Sequence, residues 1–259
     1  MAGVLVFMIL GRGVRKALFL CPFLIVFFLW ACPAPPKETP SATVLSPLEL
    51  HQRLVMGEPL VLIDTDSYLE CMDERIPGAL CIACDDVDKL VSHLQTFQGK
   101  PIVFYSRGLH VQKPCHALEK AKTKGLPNVA VLIGGISAWK MAGYETESPQ
   151  RVPRFSIPSI QAKTLDNWIQ SRREFLILDI RSFVSFQKDG LKNAMNVPLG
   201  QLHERYHEIP VNLPILVIDS DGSRSMLAAS FLHRKGFENI GRLRGGQAAW
   251  ETHRRQMMP

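Results

Sequence analysis

After Cys115 the sequence contains no cysteine; all six, Cys21, Cys32, Cys71, Cys81, Cys84 and Cys115, precede that point. A thiolate mechanism or a cysteine-ligated metal is therefore excluded for the second half of the chain. Neither a GxGxxG nor a GxxxxGK run occurs, which removes the glycine-rich phosphate cradles of nucleotide enzymes. Aromatic residues make up only 8%, and no basic run is interleaved with them. The net charge of +6 thus gives no nucleic-acid groove. Its excess sits in residues 151–259, sixteen Lys/Arg against ten acids, and reads as an ordinary solvated surface. Long apolar runs are also scarce. The one that stands out, Ala17–Cys32, falls short of the ~20 residues that a spanning helix needs.

That run has a meaning of its own. Arg12, Arg15 and Lys16 precede "ALFLCPFLIVFFLWAC", and positive charge before a short apolar core is an export signal. "LWAC" at 29–32 resembles a bacterial lipobox, which implies lipid attachment at Cys32; an uncleaved anchor is the alternative. "PAPPKETPSA" then reads as an extended tether. The expectation is a signal segment over 1–32, a tether over 33–44, and a folded part on the extracytoplasmic face of a membrane.

The rest of the chain, 46% apolar overall, is long enough for two domains, and it repeats. "LVLIDTDSYLECMDERIPGALCI" from Leu60 matches "FLILDIRSFVSFQKDGLKNAMNV" from Phe175, with Asp64 and Asp179 115 apart. "IVFYSRG" matches "LVIDSDG". "VAVLIGGISAW" matches "IGRLRGGQAAW", with Trp139 and Trp250 111 apart. Apolar, β-branched strands alternate with amphipathic segments that stop at Gly. This pattern predicts α/β units, each a parallel sheet flanked by helices. The expected units are 45–147 and 160–259, joined by a linker over 148–159 that contains three prolines. Trp139 and Trp250 are expected to pack in the two cores.

These ordered landmarks resemble the rhodanese, or thiosulfate sulfurtransferase, domain. Its pattern is a strand ending in Asp-x-Arg, an acidic helix, "HIPGA", a strand, "CxxGxRS", a helix and "GGxxAW". The first copy supplies Asp64, Glu70, "IPGA" at 76–79, Gly108 and "GGISAW" at 134–139. The second supplies Asp179, Arg181, Ala194, "GSRS" at 222–225 and "GGQAAW" at 245–250. The resemblance covers residues from about 45 to 255 and implies two rhodanese-like domains in tandem.

It also implies what is missing. In the family the loop cysteine carries sulfur as a persulfide, and backbone N–H groups with the following helix N-terminus stabilise the thiolate. Here that position falls on Tyr105 or Ser106 in the first copy and on Asp219 in the second. No such side chain forms a persulfide, so no catalytic residue is expected in either loop. The degenerate loops are Tyr105, Ser106, Arg107, Gly108 and His110, and Asp219, Ser220, Asp221, Gly222, Ser223, Arg224 and Ser225. A carboxylate from Asp219 or Asp221 is positioned to accept the N–H groups that a thiolate would have used, as an N-cap acid does. The alternative is that both acids point to water. Arg107 and His110 make a small anion more plausible at the first loop.

The leading expectation is therefore a catalytically inactive binding or scaffold module, with an unidentified protein or small anion as partner, and without cofactor or metal. A sulfurtransferase using a displaced cysteine of the first copy is the alternative. A thiol-redox pair in "CIAC", Cys81 and Cys84, is a third reading, set against a structural disulfide or buried thiols there. Cys115 is expected to be a buried helix residue, and Cys71 has no evident partner. "HERYH" at 203–207 matches HExxH but reads as a solvated helix face rather than a zinc site. Asp219 as a phosphatase-type nucleophile lacks the second acidic cluster that magnesium requires.

Overall fold

The computed structural model describes residues 43–84, 97, 99–107, 121, 123 and 128–257. Gly108, His110, Cys115 and the export segment with Cys32 lie outside the described residues. The first copy contains β1 (Thr43–Leu45), α1 (Pro47–Val55), β2 (Val61–Asp64), α2 (Tyr68–Asp73), β3 (Leu80–Cys81), β4 (Ile102–Tyr105), β5 (Val129–Leu132) and α3 (Gly135–Met141). The second contains β6 (Ser159–Ile160), α4 (Ala162–Gln170), β7 (Leu176–Asp179), α5 (Phe183–Asp189), β8 (Met195–Asn196), α6 (Leu202–Arg205), β9 (Ile215–Ile218), α7 (Ser225–Arg234), β10 (Ile240–Leu243) and α8 (Gly246–Met257).

Each copy forms a five-stranded parallel sheet, in the orders β1-β5-β4-β2-β3 and β6-β10-β9-β7-β8. The two orders are the same once the copies are superposed in sequence. The central strands "VLID", "IVFY" and "ILVI" are buried at every position, as consecutive apolar strands covered on both faces require. β1 takes Thr43 and Val44 from the stretch assigned to the tether, because they pair with Ala130 and Val131. Local signals start the helices. Ser46 and Glu49 cap α1 reciprocally, and Ser67 and Glu70 do the same for α2. Trp139 and Trp250 are buried in the first and second cores, as expected.

The copies are joined through α2. Leu69 of this helix belongs to the same buried cluster as Leu178, Leu227 and Phe231 of the second copy. Tyr68 stacks on His203, with ring centroids 4.2 Å apart. Asp73 accepts the Val152 N–H at 2.9 Å and pairs with Arg154 at 2.6 Å, which fastens the linker. "HERYH" is thus not simply a solvated face. It splits into α6 and a 3₁₀ turn over Tyr206–Glu208, and His203 is half-buried at the joint.

The cysteine pairing is not that of the third reading. Cys81 is bonded to Cys71, not to Cys84, with the two Cα atoms 5.7 Å apart. Cys84 is itself disulfide-bonded. The thiol-redox pair Cys81–Cys84 is overturned, because β3 extends the chain while α2 brings Cys71 back beside Cys81. Among the described residues, no helix is long and apolar enough to cross a membrane.

Candidate functional site

The second loop begins where β9 ends. Asp219 is only 2% exposed, and its carboxylate points into the loop instead of out to water. Oδ1 accepts the Gly222 N–H at 2.8 Å; Oδ2 accepts those of Arg224 at 2.7 Å and Ser225 at 3.0 Å. Ser225 opens α7, so one carboxylate takes the free amides of the loop and of the helix N-terminus together. Asp221 behaves differently. It is exposed, and the hydroxyl and N–H of Ser223 hold its carboxyl below the usual carboxylate range. Ser225 Oγ closes the turn by donating to the Gly222 carbonyl at 3.1 Å.

The Gly-Gly turn fixes this geometry from behind. The Gln247 and Ala248 N–H groups donate to the carbonyls of Asp219 and Ser220 at 2.8 and 3.0 Å. With its carbonyls held outward, the loop turns its N–H groups inward. Gly246, at φ 55°, makes this approach possible: a Cβ there would lie 2.5 Å from the Asp219 carbonyl oxygen.

The sheet register aligns the first loop. Thr65 donates to the Tyr105 carbonyl as Ile180 does to that of Ile218. Ile136 N–H donates to the Ser106 carbonyl as Gln247 does to that of Asp219. Ser106, rather than Tyr105, is therefore the counterpart of Asp219. Tyr105 is a core residue whose hydroxyl accepts the Ile76 N–H at 3.0 Å.

The copies also differ beneath the loops. In the second, Arg181 is clamped between the buried Asp179 and the half-exposed Asp189, so Asp179 has a counterion in direct contact. In the first, Asp66 stands where Arg181 stands in the repeat, so Asp64 loses the equivalent counterion. Asp64, Asp66 and Glu70 are all buried. Burial, then the neighbouring Asp64 and Glu70 carboxylates, push Asp66 up to about 8; burial raises Asp64 to about 6. Two arginines face this cluster. Arg107 gives its backbone N–H to Asp66 at 2.6 Å and a guanidinium N–H to the Glu70 carbonyl. Arg224 crosses from the second loop to Glu70 at 3.0 Å. Asp66 was not singled out by the sequence reading, although the change from Asp-x-Arg to Asp-x-Asp between the copies was visible in it.

A cleft of about 560 Å³ separates the two loops, lined by Asp66, Glu70, Ser106, Arg181, Asp219 and Arg224 among others. Cys84 also borders it. Among the described residues no group of His, Cys, Asp and Glu is placed to hold a metal ion. Chemically, the second loop presents a fixed carboxylate with its hydrogen-bonding capacity turned inward. It has no nucleophilic sulfur, and the N–H groups of Gly222, Arg224 and Ser225 are already taken by the carboxylate.

Comparison with known proteins agrees with this architecture. The profile of the rhodanese-like domain matches residues 46–142 and 161–253. The Allochromatium vinosum protein named "Sulfurtransferase" is 26% identical over 97 residues, 38% of this chain and 91% of its own length. The "Putative sulfur carrier protein YrkF" of Bacillus subtilis is 28% identical over 95 residues, 37% of this chain; the match spans only 51% of that protein. The solved thiosulfate sulfurtransferase of Pseudomonas aeruginosa aligns with 81% of this chain and 44% of its own, with 19% identity and a TM-score of 0.38. Two profile matches in one chain, each over a sheet of the same strand order, lead to one conclusion: this chain belongs to the rhodanese-like domain family and carries two such domains in tandem.

Proposed function

We propose that this chain is a catalytically silent rhodanese-like module of the cell envelope, held at a membrane by its N-terminal segment and acting by binding. The observation that carries this reading is the Asp219 carboxylate. It accepts the Gly222, Arg224 and Ser225 N–H groups at the position where a sulfur carrier holds its persulfide. A carboxylate there repels thiosulfate and forms no sulfur–sulfur bond. The counterpart in the first loop, Ser106, has no sulfur either. The test is turnover of thiosulfate and cyanide by the full chain, with persulfide detected by mass. The expected result is no thiocyanate and no added sulfur.

A second reading, sulfur transfer through a displaced cysteine of the first domain, draws support from relatives that are named sulfurtransferases. Against it, three of the four candidate cysteines, Cys71, Cys81 and Cys84 but not Cys115, are shown disulfide-bonded and supply no thiolate in that state. The same assay on protein reduced and then freed of reductant separates the two. Thiocyanate that appears only after reduction, and is lost when every cysteine is replaced by Ser, would establish the second reading. For the envelope assignment, incorporation of a labelled lipid precursor, lost in Cys32→Ser, is the expected result.

A further inference from the structure

The two copies present the same helices to solvent but not the same chemistry. On α1, Leu48 and Val55 lie on one face, two turns apart, and Met56 follows; they are 56%, 72% and 68% exposed. α3 lies on the same side of the sheet, with the Trp139 ring 5.8 Å from that of His51, and at its end Met141 is 84% exposed. The equivalent positions of the second copy are Lys163, Gln170, Ser171 and Thr252, also exposed. Four matched surface sites are thus apolar in one domain and polar in the other. A shared fold does not require this, and exposed apolar side chains on one side of a domain mark an interaction surface.

Chain length says what covers it. Ten residues, 33–42, separate Cys32 at the end of the apolar run from Thr43 at the start of β1. Such a segment spans at most about 40 Å when fully extended. α1 begins four residues after Thr43, so the domain that follows the tether directly is the one with the apolar face. The geometry points to a lipid surface as its occupant: Leu48, Val55, Met56 and Met141 seat the first domain on the bilayer to which the N-terminal segment attaches it. This rests on the membrane attachment proposed above. The contact is interfacial, apolar side chains entering the headgroup boundary, and it leaves the second domain clear of the surface.

The test uses the full chain in phosphatidylcholine vesicles that carry a photoactivatable lipid probe, with flotation and peptide mapping as readouts. A variant carrying Leu48→Lys, Val55→Gln, Met56→Ser and Met141→Thr has the residues of the second copy. The expected result is flotation of both proteins, with probe on peptides covering 47–56 and 135–141 in the parent and lost from them in the variant. Probe confined to residues before Thr43 in the parent overturns the seated face while leaving attachment intact. Failure to float overturns both. A parent that is dimeric in detergent and a variant that is monomeric, without probe on these peptides, would assign the face to a second copy and overturn the proposal.

Discussion

At the scale of single residues, Asp219 makes the sharpest claim. Asp219→Ala leaves three N–H groups without their acceptor, of which that of Ser225 is buried, and a buried group left unpaired costs about 1–3 kcal/mol. The variant is expected to unfold at lower urea than the parent. It is also expected to gain a thermal shift with sulfate or thiosulfate that the parent lacks, because the anion takes over the vacated bonds. The acids of the first domain give a second expectation. Asp64 and Asp66 keep protons in the folded protein well above the ordinary value of 3.8, up to about 6 and about 8. Between pH ~4 and ~8 the folded state therefore binds more protons than the unfolded chain, and stability falls as pH rises through that window. Asp66→Asn removes a titrating group and is expected to flatten this fall when urea midpoints are measured across the same range.

At the scale of elements, α2 bears more than its six residues suggest. One face carries Leu69 into the second domain, Cys71 ties the helix to β3, and Asp73 holds the linker. Replacing both Cys71 and Cys81 by Ser is expected to cost about 2–4 kcal/mol in urea denaturation, the usual range for losing a native disulfide. Leu69→Ala is expected to cost about 2–5 kcal/mol and to expose the linker, read as faster proteolysis near residues 148–159. The elements themselves were legible in the sequence. Consecutive apolar strands and paired Gly-Gly turns are local signals, and both sheets follow from them. The pairing of Cys71 with Cys81 was not legible. Nearness in sequence favours Cys81 and Cys84, whereas the bond depends on how α2 lies against the sheet edge, a tertiary fact. The counterpart of Asp219 was likewise undecided between Tyr105 and Ser106 until the ladder register chose.

At the scale of the whole molecule, duplication has been followed by divergence at the joint. The sequence revealed two similar units but not that α2 of one enters the core of the other, since Tyr68 and Leu69 match Phe183 and Val184, which stay exposed. The Arg224–Glu70 pair spans the same joint. Its guanidinium is more than half exposed but Glu70 is buried, so Arg224→Ala removes a counterion from a buried carboxylate and is expected to cost about 1–3 kcal/mol. Small-angle scattering of that variant should match the parent, whereas Leu69→Ala should enlarge the particle.

The choice of carboxylate over sulfur in the second loop also sets how that loop ages. Peroxide, alkylating agents and soft metal ions silence a thiolate by reacting with it, and a thiolate climbs an oxidation ladder with irreversible upper rungs. Asp219 offers those reagents no sulfur to attack, so the loop keeps its shape under oxidising conditions that would destroy a sulfur carrier.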